Sequence, residues 1–258
     1  MAGTLGIIGS GNIGSAIARS AVGAGWHVVI SNSRGPESLG DLVAELGPLA
    51  RAATPTGAAQ AGDLVVATIP LANYEQLPQE ALAGRTVIDT MNYAPAVTGW
   101  ARPELDADEL TSSELVQRFL SSSSVVKAFH DVNGRLLREL ARPADAPDRT
   151  ALPITGDDLA AKAQVTELID DFGFDTVDVG GLAESWRIGP NTPLYFEAFV
   201  GAVPPGLSLP EIYAWLATTP MIPLPAATVA ELAATTERQP AGFQLTPSAQ
   251  PVATRPVS

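Results

Sequence analysis

A chain of 258 residues with 46% apolar residues fits one large domain, or a core domain with a small appendage, and allows a sizeable buried core. With no cysteine and two histidines, disulfides, thiolate catalysis and histidine-rich metal sites are excluded, and a net charge of -13 repels a nucleic-acid backbone. No apolar run reaches membrane-span length and "MAGTLGIIGSGNIGS" carries no basic leader, so the expectation is a soluble cytoplasmic protein with a small-molecule substrate and no metal, membrane or nucleic-acid partner.

In chain order, the run Thr4–Gly9 predicts a strand that leads through "GSGNIG" into a helix over Ile13–Ala24. Gly9, Gly11 and Gly14 stand in GxGxxG spacing. Gly9 suits a tight turn, Gly11 lets the backbone approach a pyrophosphate, and Gly14 lets the helix pack closely on the strand. The free N–H groups around Ser10, Asn12 and Ile13, aided by the helix dipole, would hold that anion. This strand–turn–helix order reads as a dinucleotide site.

The second strand, His27–Ser31, ends in "ISNSRGPES". An NAD site would carry Asp or Glu here to bind the ribose hydroxyls. Ser31, Asn32, Ser33 and Arg34 stand there instead, and hydroxyls with a guanidinium suit the 2′-phosphate of NADP. His27 lies inside the strand and receives no chemical role.

A helix over Glu37–Glu45 and a weak strand near Arg51–Ala53 follow. The strand Leu64–Ile69 then delivers Ile69, Pro70 and Leu71 to the nicotinamide side of the crevice, where ligands lie in such sheets. The strand Thr86–Asp89 brings Met91, Asn92 and Tyr93 to the same edge, and the long, proline-bearing stretch 91–107 reads as a functional loop. Next come a helix over Asp108–Leu120 and a strand over Val125–Phe129 that ends directly before His130. The run "GRLLRELAR", with Arg135, Arg138 and Arg142, reads either as a solvated helix face or as a site for an acidic ligand tail. A strand over Leu152–Thr155, a helix over Asp158–Phe172 and a strand over Thr176–Val179 complete the alternation.

This pattern predicts a doubly wound parallel α/β sheet of Rossmann type with a small C-terminal helical extension. The expected division is residues 1–180 as the NADP-binding domain, 181–237 as a helical portion completing the substrate crevice, and 238–258 as a proline-rich, flexible tail. Short helices are expected at Leu209–Ala217 and Ala226–Glu237, and no internal repeat is present.

Several blocks occur in the order seen in one family. They include "IIGSGNIGSAIARS", "VISNSRGPESL", "DLVVATIPLANYEQLP", "VIDTMNYAP", "VVKAFHDV" and "LPITGDDLAAKAQVTELIDDFGFDTVDVGGLAES". Over roughly residues 3–196 the chain resembles the NADP oxidoreductases dependent on coenzyme F420, in their actinobacterial form. The resemblance implies hydride transfer between NADP(H) and C5 of a deazaflavin, with the two rings stacked in the crevice. It also implies a homodimer whose small C-terminal portion completes the pocket. By position it places Gly9, Gly11 and Gly14 in the pyrophosphate loop, Ser31, Ser33 and Arg34 at the 2′-phosphate, and Pro70 at the nicotinamide wall. His130 falls near the ring-binding crevice, where archaeal members also have a histidine. Met91 and "KAFHDV" depart from the forms common among relatives, at the end where the second substrate would bind.

Three functional readings result. The first is an NADPH-linked oxidoreductase acting on coenzyme F420, with His130 as a catalytic acid or ligand contact and Tyr93, His130 and Arg187 toward the second substrate. The second is a reductase of the same fold for a small imine, carbonyl or quinone-like acceptor. The third is a non-catalytic NADP(H) sensor or scaffold. Hydride transfer between preorganised rings rests mainly on proximity and orientation, so little acid–base help is needed.

Overall fold

The computed structural model describes residues 3–132 and 134–242. Its strands are β1 (Thr4–Ile8), β2 (His27–Ser31), β3 (Ala50–Ala52), β4 (Leu64–Ala67), β5 (Thr86–Asp89), β6 (Ser124–Lys127), β7 (Ala151–Gly156) and β8 (Asp175–Asp178). They form one eight-stranded sheet in the order β3-β2-β1-β4-β5-β6-β7-β8. All neighbouring pairs are parallel except β6 with β7. The fold is thus the expected doubly wound α/β sheet, with one correction to "parallel".

That reversal has a local cause. Among the described residues, the connection from β6 to β7 contains one helix, the six-residue Gly134–Glu139, about 9 Å long at 1.5 Å per residue. It keeps the chain at the carboxyl edge, and β7 enters antiparallel, with Lys127 opposite Thr155. Helix Leu159–Asp171 then makes a full crossover, so β8 returns parallel to β7.

Alternation along the central strands fills two cores. Leu5, Ile7, Val28, Ile30 and Val66 face the side covered by helices Asn12–Gly23 and Leu159–Asp171. Ile8, Val29, Val65 and Ala67 face the side of helices Pro55–Ala61 and Ser112–Phe119. Gly6 lets helix Pro55–Ala61 press on β1, since a β-carbon there would lie 2.3 Å from the Ala58 carbonyl oxygen.

Two expected helices are redrawn. Glu37–Glu45 divides into a 3-10 turn, Pro36–Leu39, and the helix Gly40–Leu46. Asp108–Leu120 starts only at Ser112, because Thr111 and Glu114 form a capping box that fixes the first turn there. The C-terminal portion continues the first core: Ile188, Leu194, Phe199, Leu224, Val229 and Ala233 belong to it. Helix Ala226–Thr235 lies against β7 and β8. Of the stretch expected to be a flexible tail, residues 238–242 pack on the body of the protein, and 243–258 lie outside the described residues.

Candidate functional site: the carboxyl edge of the sheet

β1 ends at Ile8, and the chain turns through Gly9 at φ +117°, a region that favours glycine. A β-carbon on Gly9 would stand 2.1 Å from the Thr68 carbonyl oxygen, and one on Gly14 would stand 2.1 Å from the Gly9 carbonyl oxygen. Gly11 is different: nothing lies within 4 Å of the corresponding point, and the residue is exposed. It caps helix Asn12–Gly23 without any side-chain hydrogen bond, and no acid occupies the first turn. The first-turn N–H groups and the positive end of the dipole meet open space, a donor set that fits a pyrophosphate. Asn12 is exposed and Ser10 and Ile13 are half-buried beside this point. The Asn32 amide donates to the Ser10 hydroxyl at 3.4 Å, tying the loop to the end of β2.

At that end the structure corrects one expectation. Ser31 is fully buried and its hydroxyl donates to the Ile7 carbonyl at 3.0 Å, so it braces β2 on β1 and does not offer its proton outward. Asn32 builds an Asx turn, accepting the Arg34 N–H at 2.9 Å while its amide donates to the Ser38 hydroxyl at 2.9 Å. The turn leaves Ser33 and Arg34 exposed. Among the described residues, the Arg34 guanidinium has no hydrogen bond or ion pair. In a chain of net charge -13, a cation left unmatched beside the dinucleotide loop fits a phosphate.

The opposite end is more tightly built. Ile69 is half-buried and Pro70 exposed at the rim, but Leu71 is buried in the core and forms no wall. Met91 is likewise buried; its N–H donates to the Asp89 carboxylate at 2.8 Å and its carbonyl accepts from the Lys127 ammonium. Asn92 is half-buried, and its amide donates to the His130 carbonyl at 2.8 Å and the Tyr195 hydroxyl at 3.2 Å. Tyr93, expected toward the second substrate, is buried: its hydroxyl donates to Asp106 at 2.7 Å and accepts the Arg102 N–H at 2.9 Å. It pins the 91–107 loop.

His130 does not have the chemistry of an acid. It is buried, and its Nε2 lies 2.5 Å from the Ile188 carbonyl, which requires the proton on that nitrogen. Burial first, and the nearby Lys127 charge second, push its pKa down to about 3 against the pull of the Ile188 carbonyl. It is a neutral imidazole at physiological pH, and Nδ1 has no partner among the described residues. The neighbouring Asp131 is the residue the sequence reading missed. It is buried, neither carboxylate oxygen has a side-chain partner among the described residues, and burial raises its pKa to about 7 against the pull of its own N–H and of Lys127.

A buried ion pair lies beneath. The Lys127 ammonium is 3.3 Å from the Asp89 carboxylate, which also accepts from the Ser113 hydroxyl at 2.7 Å. Burial lowers the Lys127 pKa, and Asp89 opposes that shift. A lysine inside the apolar run "SVVKAF" and an acid ending "TVID" are a legible sign of such a pair.

The arginines considered for an acidic ligand are otherwise engaged. Arg135 bonds Glu139 and the carbonyls of Leu216 and Thr219, Arg138 meets Glu139, and Arg142 meets Asp148. Arg187 pairs with Glu184 at 2.6 Å and stacks 4.3 Å from the Trp186 ring. No group of three metal-ligating side chains occurs among the described residues, and none of their helices is long and apolar enough to cross a membrane.

A doubly wound sheet with a glycine turn opening onto an uncapped helix defines a dinucleotide-binding protein. Residues 4–93 match the family described as NADP oxidoreductase, coenzyme F420-dependent. A hypothetical protein of Sinorhizobium meliloti is 31% identical, with a TM-score of 0.64 over 76% of this chain and 94% of that one. A provisional F420-dependent NADP reductase of Arthrobacter sp. shares the fold at 24% identity, with a TM-score of 0.59 over 70% of this chain and 86% of that one. Metalloreductase STEAP3 of Rattus norvegicus is 29% identical over 186 residues, 71% of this chain and 35% of that protein. The chain spans little more than a third of the length of the curated relatives it matches. It belongs to the family whose model is described as NADP oxidoreductase, coenzyme F420-dependent.

Proposed function

We propose that the protein transfers hydride between NADPH and a deazaflavin, coenzyme F420. The observation that carries the NADP half is the exposed, unmatched Arg34 beside the open Gly11 turn. NADPH supplies the hydride from its nicotinamide. The chain's residues hold and orient: Gly11, Asn12 and Ile13 receive the pyrophosphate, Ser33 and Arg34 the 2′-phosphate, and Ile69 and Pro70 flank the ring. Among the described residues Asn92 keeps one unpartnered acceptor, Oδ1, at the ring end. With His130 locked neutral, the reading needs no imidazolium acid, in keeping with transfer between two positioned rings. The deazaflavin half rests on the family.

A small imine, carbonyl or quinone-like acceptor is the second reading. It is favoured by the engagement of Arg135, Arg138, Arg142 and Arg187, which leaves none of these cations for a polyanionic tail. The proposal carries over the homodimer and the cytoplasmic location expected from the sequence, measured by sedimentation and by cell fractionation.

Mixing the protein with NADPH and oxidised coenzyme F420, and following deazaflavin absorbance, tests the proposal. Bleaching at a rate proportional to enzyme is expected. Retained NADPH binding without bleaching, but with oxidation by a small acceptor, would establish the second reading. Tight binding with no acceptor reduced would favour the NADP(H) sensor.

A further inference from the structure

Residues 236–242 do not run into solvent after helix Ala226–Thr235. They cross the 92–111 segment and are fastened to it and to the 182–191 segment. Arg238 donates to the Asp108 carbonyl at 3.1 Å, approaches the Asp108 carboxylate at 3.4 Å and lies 5.6 Å from the Trp186 ring centre. Asn191, held at φ +67°, sends its amide to the carbonyls of Pro240 at 3.2 Å and Gly242 at 2.6 Å. A β-carbon on Gly242 would stand 2.7 Å from Pro95 Cδ, so the backbone lies directly on the loop.

Beneath this segment is a cavity of about 50 Å³. Asn92 and Lys127, at the carboxyl ends of β5 and β6, line it from below, and residues 238–242 line it from above. A space of that size holds a few atoms, far below the roughly 300–1,000 Å³ of pockets that take a ring system. The fastenings are suited to release. The Arg238–Asp108 pair is 38% and 40% exposed, and exposed pairs contribute little stability. Residues 237–240 are exposed, and only Thr236, Ala241 and Gly242 at the two ends of the segment pack inward, so lifting it uncovers a small part of the core.

We propose that residues 236–242 form a releasable lid over the second-substrate end of the crevice, latched by Arg238 and Asn191, whose release sets how large an acceptor can enter. This rests on reading that end as the acceptor's.

Trypsin provides a readout independent of turnover. Beyond Arg187 the chain has two further basic residues, Arg238 and Arg255, and Arg255 precedes Pro256 and resists cleavage. A cut near the C-terminus therefore reports release at Arg238. Two variants loosen different latches: Asp108→Asn weakens the ion pair, and Asn191→Gly keeps the positive φ while removing the amide. Both should be cut about tenfold faster than the wild type, with unchanged NADPH affinity. Both should also raise kcat/KM for coenzyme F420 about fivefold and leave that for 1,4-benzoquinone unchanged. Equal cleavage rates in folded variants, or faster cleavage with unchanged F420 kinetics, would overturn the lid. If no form reduces either acceptor, the functional reading fails instead. Deazaflavin affinity, read by its fluorescence, then decides: tighter binding in the loosened variants supports the lid, and unchanged binding overturns it.

Discussion

Gly14 lies so close to Gly9 that a β-carbon on Gly14 would stand 2.1 Å from the Gly9 carbonyl oxygen, while Gly11, between them in sequence, faces open space. The three glycines therefore separate structure from binding. Gly14→Ala forces helix Asn12–Gly23 off the turn, an overpacking cost of about 1–3 kcal/mol. Gly11→Ala meets nothing, at φ -71°, and should cost less than about 1 kcal/mol as a changed N-cap. Its methyl group occupies the approach of the pyrophosphate, so NADPH affinity should fall at least roughly tenfold, about 1.4 kcal/mol. Urea unfolding and NADPH fluorescence titration on both variants check this; a Gly11→Ala protein that binds normally would place the pyrophosphate elsewhere.

Arg34 is the test of cofactor choice. A charge-assisted bond contributes about 1.5–3 kcal/mol, so Arg34→Ala should weaken NADPH binding roughly tenfold to hundredfold. NADH, without the 2′-phosphate, should bind as before. Because Ser31 spends its hydroxyl on Ile7, Ser31→Ala should act on stability and leave the NADPH/NADH ratio unchanged, unlike Ser33→Ala. Equal loss for both cofactors in Arg34→Ala would refute the phosphate assignment.

The fold and the geometry of the glycine turn were legible because each depends on local patterns. The short apolar run of Thr4–Ile8, the GxGxxG spacing and the capping residue Asp158 act within a few residues of where they are read. The reversed pairing of β6 and β7 was not legible, since it depends on where a 23-residue connection returns rather than on either strand. Side-chain directions at strand ends were also hidden. Leu71, Met91 and Tyr93 stand at the correct edge but turn into the core, because the 91–107 loop folds back and covers them. Arg187 and the "GRLLRELAR" arginines found partners among carboxylates and carbonyls that are distant or unremarkable in sequence.

Asp131 and His130 give stability a readable pH dependence of opposite sign. The folded pKa of Asp131 is raised from 3.8 to about 7, so folding favours its protonated form. Its contribution is fully present below about pH 4 and is lost as pH rises through about 7. At about 1.4 kcal/mol per unit the limit is roughly 4 kcal/mol. Asp131→Asn should therefore be more stable than wild type at pH 8, with the gap closing toward pH 4. The His130 pKa is lowered from 6.5 to about 3, so its contribution is present above pH 6.5 and lost as pH falls toward 3. His130→Gln should flatten that acid limb. Melting temperatures of the two variants from pH 4 to 8 measure both slopes, and a pH-independent gap for Asp131→Asn would show its carboxyl to be solvated.

Lys127 and Asp89 set the geometry at the carboxyl ends of β5 and β6. The pair is fully enclosed, and Lys127 also donates to the Met91 carbonyl, so one ammonium holds the ends of β5 and β6 together just below Asn92. Removing one partner of such a pair leaves a buried charge uncompensated, at a cost of about 3–5 kcal/mol. Lys127→Met should show that loss, because Asp89 keeps only the Ser113 hydroxyl and the Met91 N–H. Adding Asp89→Asn removes the stranded charge: the amide oxygen keeps the Met91 N–H, and the Ser113 hydroxyl, which met the other oxygen, turns to accept from the new NH2. The double variant should then be more stable than Lys127→Met alone, although it carries one more substitution. Urea unfolding of the wild type, both single variants and the double variant gives the coupling directly. Simple additivity would mean that the two charges do not sense each other, and the register of Asn92 would then have to be attributed to the loop alone.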